Sequence, residues 1–310
     1  MPKVLAITGA TASGKSELAL SLARELDAEI VCMDSMQIYR RMDIGTAKPT
    51  LQEQARIPHH MLDILEPTAA YAVADYARDG EAVIRQILQR GKLPMLVGGT
   101  GLYLKALMHG MELGGAGSDE DLRRRLNQLA MEPDGKQRLH ERLSRVDPQT
   151  AERLHPNDIR RVIRAIEVYE LTGKPLSQQN QSAAKGPFEV LPLAIDMPRD
   201  RLYARLEKRA RAMLDAGLLD EVRALLDSGV APDCQSMQGI GYKELTPVIT
   251  RGQPVEQALW DVIIHTRHYA KRQNTWLRAE PETRWLSPEG DLLAQAMEQI
   301  NAFWKGQDKP

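Results

Sequence analysis

Short apolar runs alternate with helical patterns in the N-terminal third of the chain. Val4–Ile7, Glu29–Met33 and Leu93–Val97 have the length of strands, and their apolar residues are nearly continuous rather than alternating. Such runs are typical of strands that are buried on both faces. Helical periodicity separates the runs over residues 18–26 and 73–89. The alternation predicts an α/β fold in which helices flank a parallel sheet.

The pattern changes between residues 114 and 186, where strand-like runs disappear and arginine-rich amphipathic helices replace them. Leu191–Ile195 is again an apolar run of strand length. We therefore predict an α/β catalytic core formed by residues 1–113 and 190–310. An all-helical domain, residues 114–189, is predicted to be inserted into this core.

Composition narrows the class of protein. The chain has 310 residues, of which 43% are hydrophobic, which is enough for a substantial core. Because the formal net charge is −1, any surface for nucleic acid would have to be local. Cys32 and Cys234 are the two cysteines and give no disulfide framework. We see neither a cationic leader nor an apolar run of about 20 residues, and we expect a cytoplasmic protein.

The loop after the first predicted strand has the clearest chemical signal. It has the P-loop pattern between a strand and a helix, and its residues are Gly9, Ala10, Thr11, Ala12, Ser13, Gly14, Lys15 and Ser16. Backbone N–H groups in such a turn, together with the positive end of the helix, bind phosphate oxygens. Lys15 is expected to contact the outer phosphate, and Ser16 is expected to ligate a magnesium ion. The loop predicts a pyrophosphate or triphosphate ligand and leaves the reaction open.

Two polar positions follow the other predicted strands. P-loop ATPases and GTPases commonly have a magnesium-binding Asp after a strand such as 93–97, but Gly98, Gly99 and Thr100 stand here. The acid is instead Asp34, after the second strand, where small-molecule kinases often keep a base. A lone Asp at this place is more often a helix cap, but the polar and aromatic stretch that follows favours a functional role. The pattern indicates group transfer to a bound acceptor rather than a motor or switch NTPase.

Basic residues cluster on three predicted helices. Arg160, Arg161 and Arg164 form a dense group that suits phosphates, although most charged helix faces are simply solvated. Arg209 lies on a helix whose cations, at i, i+4 spacing, resemble a clamp for pyrophosphate. The late helix mixes cations with aromatic residues, which suits RNA. Trp276 taken alone would be a core residue. The sequence also predicts a flexible loop over residues 238–244, which contain two glycines.

Together these motifs resemble those of the bacterial tRNA dimethylallyltransferases of the IPP transferase family, which prenylate N6 of the adenosine next to the anticodon. The resemblance extends from Leu5 to about Arg278. It rests on the loop at 9–16 and on the segments 34–39, 43–49, 98–103, 157–167, 239–244 and 271–276. Ala10 stands where the family often has Pro, and Ile166 where it usually has Leu. Neither departure touches a chemical group.

The resemblance implies transfer of a dimethylallyl group from dimethylallyl pyrophosphate to adenosine 37 of tRNAs that read codons beginning with U. Asp34 is implied as the base, Thr100 as a contact at the reacting centre and Arg209 as a ligand of the leaving pyrophosphate. Mg²⁺ is implied as the cofactor and a monomer as the assembly. Contacts with the anticodon stem-loop of tRNA are implied for Asp34, Ser35, Met36, Gln37, Thr100, Arg123, Asp158, Ile159, Arg160, Arg161, Val162, Arg164, Gly239, Ile240, Gly241, Tyr242, Lys243, Glu244, Lys271, Arg272, Gln273, Asn274, Thr275, Trp276, Leu277 and Arg278.

Two other interpretations use the same residues. A small-molecule kinase of the nucleotide or shikimate kinase type shares the P-loop, the parallel sheet and an acid after the second strand. It would not need the helical insertion or the basic, aromatic late helix. An RNA-binding module with a vestigial P-loop would not require Lys15, Asp34, Thr100 and Arg209 all to be present.

Overall fold

The computed structural model describes residues 1–110, 117–179 and 186–306 of the chain. It divides into two compact units. Met1–Met108 with Pro187–Pro310 form the first, which we call the sheet unit, and His109–Gly186 form the second, which we call the helical unit. The predicted boundary between residues 113 and 114 lies outside the described residues. The predicted boundary between 189 and 190 falls a few residues after the observed division.

The sheet unit contains a six-stranded sheet. Its strands are β1 (Lys3–Thr8), β2 (Ala28–Cys32), β3 (His59–His60), β4 (Leu93–Val97), β5 (Glu189–Ile195) and β6 (Arg284–Leu286). Their order in the sheet is β3-β2-β4-β1-β5-β6, and each neighbouring pair is parallel. The α/β class with a parallel sheet and flanking helices, predicted from the apolar runs, is confirmed.

Helices cover both faces of the sheet. Those of the sheet unit are α1 (Lys15–Glu25), α2 (Leu51–Arg56), α3 (Val73–Gln89), α4 (Gly101–His109), α10 (Arg199–Asp215), α11 (Leu218–Asp227), α12 (Tyr242–Arg251), α13 (Val255–Ala279) and α14 (Leu292–Lys305). Successive side chains of a strand point to opposite faces. Val4 and Ala6 of β1 therefore pack in one apolar cluster with α3 and α4, and Leu5 and Ile7 pack in another with α1 and α14.

The carboxyl ends of β1, β2 and β4 are joined by backbone hydrogen bonds. Gly98 N donates to Ile7 O at 3.2 Å. Thr100 N donates to Met33 O, also at 3.2 Å. A Cβ atom at Gly98 would lie 2.0 Å from the Met33 carbonyl oxygen, so this close approach requires glycine. The loop after β1, Asp34 and Thr100 consequently lie at one edge of the sheet.

The described residues of the helical unit form helices around a small core of their own. The helices are α5 (Glu120–Met131), α6 (Gly135–Val146), α7 (Pro148–Arg153), α8 (Ile159–Thr172) and α9 (Leu176–Gln179). Leu126, Leu139, Leu143, Val162 and Ile166 are buried between them. The amphipathic pattern that predicted an all-helical insertion therefore agrees with the observed elements.

Residues 238–244 differ from the flexible loop that the sequence predicts. A short 3-10 helix covers Ser236–Gln238, and α12 begins at Tyr242. Glu244 caps the start of α12, because its Oε2 atom accepts the Gly241 N–H at 2.7 Å. In the described parts of the chain, no helix combines the length and the apolar character that crossing a membrane requires.

Candidate active site

The loop of residues 9–16 connects the end of β1 to the start of α1. Gly9 has φ of 140° and Gly14 has φ of 101°, values that favour glycine. A Cβ atom at Gly9 would also lie 2.9 Å from Ser13 Oγ. The loop leads directly into α1, which begins at Lys15. The N–H groups of the first turn of α1 are therefore presented at the edge of the sheet where Asp34 lies. This geometry suits an anion.

A cavity of about 450 Å³ lies at this edge, and its walls come entirely from the sheet unit. The polar part of the wall includes Thr11, Lys15, Ser16, Asp34, Ser35, Gln37, Arg209, Tyr269, Arg272 and Gln273. The apolar part includes Met36, Leu206, Ala210, Met213, Ile240 and Val262. One cavity therefore combines cations, a carboxylate and an apolar surface.

Lys15 and Arg209 are two cations of this wall that interact electrostatically with Asp34. Burial and, to a smaller extent, the nearby Arg209 together lower the pKa of Lys15 to about 8, and Asp34 partly opposes both effects. Burial also lowers the pKa of Arg209, and the negative charge of Asp34 partly opposes this effect by raising the pKa. Among the described residues, none accepts a hydrogen bond from the Arg209 guanidinium. Two partly buried cations that repel one another are a favourable site for a polyanion.

Asp34 and Thr100 are fixed by backbone groups. Asp34 Oδ1 accepts the N–H of Met36 at 2.8 Å and that of Gln37 at 3.4 Å, which makes a tight turn after β2. Thr100 Oγ1 accepts the Ser35 N–H at 3.3 Å. A hydroxyl that accepts from a backbone N–H still has its own proton to donate. The two predicted catalytic groups are therefore anchored to the same turn.

Tyr269 is a site residue that the sequence analysis missed. Its hydroxyl lies beside Thr100 and Gln273, and the ring lines the cavity. Burial and the Asp34 carboxylate raise the pKa of Tyr269 to about 12, so it remains a hydrogen-bond donor. Arg272 covers the ring at 5.7 Å from its centroid. The signal that could have found Tyr269 is its helical spacing, four residues before Gln273.

Gln273 joins the loop of residues 9–16 to the turn that holds Thr100. Its Oε1 atom accepts the Thr11 N–H at 2.9 Å, and its Nε2 atom donates to Gly99 O at 2.9 Å. The side chain is 7% exposed. Both ends of the amide are bound within the protein, although the residue lines the cavity, and its predicted contact with tRNA stays a prediction.

Several other predicted RNA contacts also fall on side chains that pack within the protein. Val162, Tyr242 and Leu277 are 0%, 1% and 2% exposed, so their side chains belong to the core. Glu244 is buried and binds Gly241 N and His265 Nδ1. Trp276 packs on Gly101, where a Cβ atom would lie 2.4 Å from the indole ring. The predicted contacts of these residues with tRNA stay predictions.

The remaining predicted RNA residues divide between the cavity and the surface. Asp34, Ser35, Met36, Gln37, Gly239, Ile240, Gly241 and Arg272 line the cavity. Arg160, Arg161, Lys243, Lys271, Thr275 and Arg278 are exposed, and Asp158, Ile159 and Asn274 are half-buried. Asp158 pairs with Arg161 at 3.2 Å, and Arg278 pairs with Asp196 at 2.7 Å. Their predicted contact with tRNA stays a prediction.

Arg123 and Arg164 bind a buried carboxylate of the helical unit. Arg123 Nε lies 2.8 Å from Glu167 Oε1, and Arg164 Nη1 lies 2.6 Å from Glu167 Oε2. The Asp119 N–H also donates to Glu167, at 3.0 Å. Burial would raise the pKa of Glu167, but the hydrogen bonds of Arg164, Asp119 and Arg123 outweigh burial and hold the pKa low. Both arginines therefore have a structural partner already.

The cations predicted along one face of α10 have different partners. Arg201 pairs with Glu289 at 2.7 Å. Arg205 Nη1 lies 3.5 Å from the carbonyl oxygens of Ala12 and Ser13, on the loop of residues 9–16. Arg209 alone of these three lines the cavity. Of these three cations, one lines the cavity and one contacts the loop of residues 9–16, and the predicted role of Arg209 as a pyrophosphate clamp stays a prediction.

Comparison with known proteins agrees with this arrangement of motifs. The family model described as IPP transferase matches residues 37–280, and that described as isopentenyl transferase matches residues 2–64. The tRNA dimethylallyltransferase of Pelotomaculum thermopropionicum is 47% identical over 96% of this chain and 94% of its own length. The tRNA dimethylallyltransferase 1 of Pelobacter propionicus is 50% identical over 92% of this chain and 93% of its own.

Two solved structures are similar over almost the whole chain. The tRNA isopentenylpyrophosphate transferase of Bacillus halodurans is 41% identical, with a TM-score of 0.73 over 99% of this chain and 96% of that one. A eukaryotic dimethylallyltransferase acting on tRNA is 30% identical, with a TM-score of 0.83 over 99% of this chain and 80% of that one. The matched length, the identity and the shared fold lead to one conclusion: the chain belongs to the IPP transferase family.

Proposed function

We propose that the protein transfers the dimethylallyl group of dimethylallyl pyrophosphate to N6 of adenosine 37 in tRNAs that read codons beginning with U. One observation carries the proposal: Lys15, Arg209 and Asp34 share a cavity with an apolar wall. The cations suit a pyrophosphate, the apolar wall suits a prenyl chain, and the carboxylate suits an amine nucleophile.

The names of the relatives support the class of donor and acceptor. They are called tRNA dimethylallyltransferases, and one solved neighbour is described as a dimethylallyltransferase acting on tRNA. The family resemblance extends the proposal to the anticodon stem-loop as the bound part of tRNA. The same resemblance leads us to propose that the enzyme is a monomer and acts in the cytoplasm.

The carboxylate of Asp34 is proposed to take the proton from the attacking amine. The lone pair of N6 is delocalised into the adenine ring, so a base at the amine aids its attack. The N6 lone pair forms a bond to C1 of the dimethylallyl group while the bond between C1 and the pyrophosphate oxygen breaks. That bonding pair leaves with the pyrophosphate, and the N6 proton passes to Asp34. Thr100 donates a hydrogen bond at the reacting centre.

Lys15 and Arg209 are proposed to stabilise the leaving pyrophosphate. Negative charge increases on the bridging oxygen as the bond to carbon breaks, and cations placed there in advance lower the barrier. The lowered pKa of Lys15 shows how strongly burial and Arg209 disfavour the positive charge without an anion. Pyrophosphate removes that penalty for both cations at once.

A magnesium ion is proposed as the cofactor. Magnesium usually binds one or two protein oxygens together with substrate phosphates. The Ser16 hydroxyl fits this kind of site, because Ser16 lies in the first turn of α1 and lines the cavity. When bound, the ion would neutralise part of the pyrophosphate charge.

The experiment is a transfer reaction with labelled dimethylallyl pyrophosphate and unmodified tRNA. We expect label in tRNA and a modified nucleoside with the mass of N6-(dimethylallyl)adenosine. A tRNA whose position 37 is guanosine is the matched control and should stay unlabelled. Hydrolysis of ATP with phosphate transfer to a small acceptor, and no label in tRNA, would instead support the kinase interpretation.

A further inference from the structure

Glu221 of α11 binds four hydrogen-bond donors from distant parts of the chain. Its Oε2 atom accepts the N–H groups of Asp43 at 2.9 Å and Ile44 at 2.8 Å. Its Oε1 atom accepts the N–H of Gly45 at 3.1 Å and the hydroxyl of Tyr242 at 2.6 Å. Three successive backbone N–H groups around one carboxylate form an anion-binding concavity that is filled by the protein itself.

The segment that Glu221 holds forms part of the cavity wall. Residues 45–49 line the cavity, whereas Glu221 does not. The ring of Tyr242 packs so closely on Gly45 that a Cβ atom there would lie 2.6 Å from it. On the other side, Lys48 Nζ contacts Asp43 and Asp63 at 2.5 Å each. The backbone of this segment is thus fixed from two directions.

This segment in turn orients the amide of Gln37. Gln37 Nε2 donates to Thr46 O at 3.0 Å and to Ala47 O at 3.2 Å. Because both partners are carbonyl oxygens, which only accept, the nitrogen end of the amide must face them. Gln37 Oε1 faces the other way and accepts the Cys32 thiol at 3.2 Å. Burial raises the pKa of that thiol, so it remains a donor.

Gln37 belongs to the turn that holds the proposed base. Its own N–H donates to Asp34 Oδ1 at 3.4 Å, and both side chains line the cavity. A chain of contacts therefore runs from Glu221 through residues 43–47 to Gln37 and Asp34.

We propose that Glu221 is a positioning residue that orients Gln37 for the acceptor nucleotide. It acts through the backbone of residues 43–47 and does not touch the substrate. This inference rests on the proposed function, because it assumes that the wall around Gln37 and Asp34 receives the acceptor. A change at Glu221 should therefore weaken the binding of tRNA and leave the affinity for dimethylallyl pyrophosphate unchanged.

The test is Glu221→Gln, measured as KM and Kd for tRNA, Kd for dimethylallyl pyrophosphate, and kcat. One end of the new amide is an NH2 group, which must face at least one backbone N–H. We expect the tRNA KM and Kd to rise on the order of tenfold, with the donor Kd unchanged. Tyr242→Phe keeps all three backbone contacts and should give a smaller rise. Asp220→Asn, an exposed neighbour on α11, is the matched control.

A double-mutant cycle separates positioning from general damage. If Glu221 acts through Gln37, Glu221→Gln should add little to the tRNA Kd of Gln37→Leu. Hydrogen exchange of the residue 43–45 amides should also accelerate in Glu221→Gln. An unchanged tRNA Kd in Glu221→Gln, or an equal effect in both backgrounds, overturns the inference. Failure of the unmodified enzyme to label tRNA overturns the proposed function instead, and the tRNA Kd and amide exchange still test Glu221.

Discussion

Asp34 presents its carboxylate to the cavity from a turn that its own Oδ1 atom stabilises. Asp34→Asn keeps the shape of the side chain and an oxygen for the Met36 N–H, but it removes the base. Turnover should fall about 10²–10⁴-fold, the usual contribution of a general base. Single-turnover transfer with saturating substrates measures it, and the donor Kd serves as the control. Near-normal turnover in Asp34→Asn would exclude Asp34 as the base.

Lys15 predicts a pH dependence of donor binding. Its pKa in the folded protein is about 8, below its ordinary value, and only the protonated form attracts pyrophosphate strongly. Affinity for dimethylallyl pyrophosphate should therefore be full below about pH 8 and fall as pH rises above it, with uptake of a proton on binding. Calorimetry in buffers of different ionisation enthalpy measures this uptake.

Lys15→Arg provides the control for that titration. Arginine stays protonated throughout this range, so the donor affinity of the variant should change little between pH 7 and pH 9. A decline in Lys15→Arg that matches the unmodified protein would assign the titration to another group.

The site residues found from sequence share one property. Lys15, Asp34 and Arg209 are recognisable because local spacing places each at a strand end or on a helix face near a phosphate-binding loop. Glu221 was not predicted, because its partners lie far away in the chain, whereas the helical spacing of Tyr269 relative to Gln273 was overlooked. Periodicity identifies which face of a helix is polar, but not which backbone N–H groups will reach it.

At the scale of elements, the buried ion-pair cluster of Glu167 ties α5 to α8. Glu167→Gln keeps the volume but removes the charge that two arginines and the Asp119 N–H share. Losing these charge-assisted hydrogen bonds should lower the free energy of unfolding by about 1–3 kcal/mol. Thermal unfolding followed by circular dichroism measures the change. Glu170→Gln, which breaks an exposed pair with Arg142, is the control and should change stability by less than about 1 kcal/mol.

Glu167 also shows what sequence could predict about elements. The apolar spacing of α8 predicted the helix, and its arginines were assigned to tRNA. The buried carboxylate between Arg123 and Arg164 gives these cations a partner inside the fold. The strands β1, β2 and β4 were predicted closely because their apolar runs are continuous. The start of α12 at Tyr242 was missed, because Gly239 and Gly241 indicated a loop.

For the whole molecule, a net charge of −1 means that tRNA affinity must come from local groups of cations. Arg161 of the helical unit and Arg272 of the sheet unit are exposed examples. Replacing either with Gln should weaken tRNA binding and reduce the slope of log Kd against log salt by about 1, as one phosphate contact is lost. Filter binding over a salt series measures the slope, and donor Kd should stay close to normal.

Arg85→Gln is the matched control for the salt series. Arg85 is also an exposed arginine on a helix, where it pairs with Glu81, but it lies outside every predicted RNA segment. Its slope should equal that of the unmodified protein. An unchanged slope in both Arg161→Gln and Arg272→Gln would place these residues among ordinary solvated cations.

The contact between Gln273 and the turn at Gly99 has a consequence for how this chain can evolve. A Cβ atom at position 99 would lie 2.1 Å from Gln273 Nε2, so alanine there would displace the glutamine amide from its two partners. A shorter residue at 273 would make room, but it would leave the Thr11 N–H and the Gly99 carbonyl without their shared partner. A change at either position alone would therefore lose the hydrogen bonds that Gln273 makes with Thr11 and Gly99. We expect relatives that differ at one of these two positions to differ at the other.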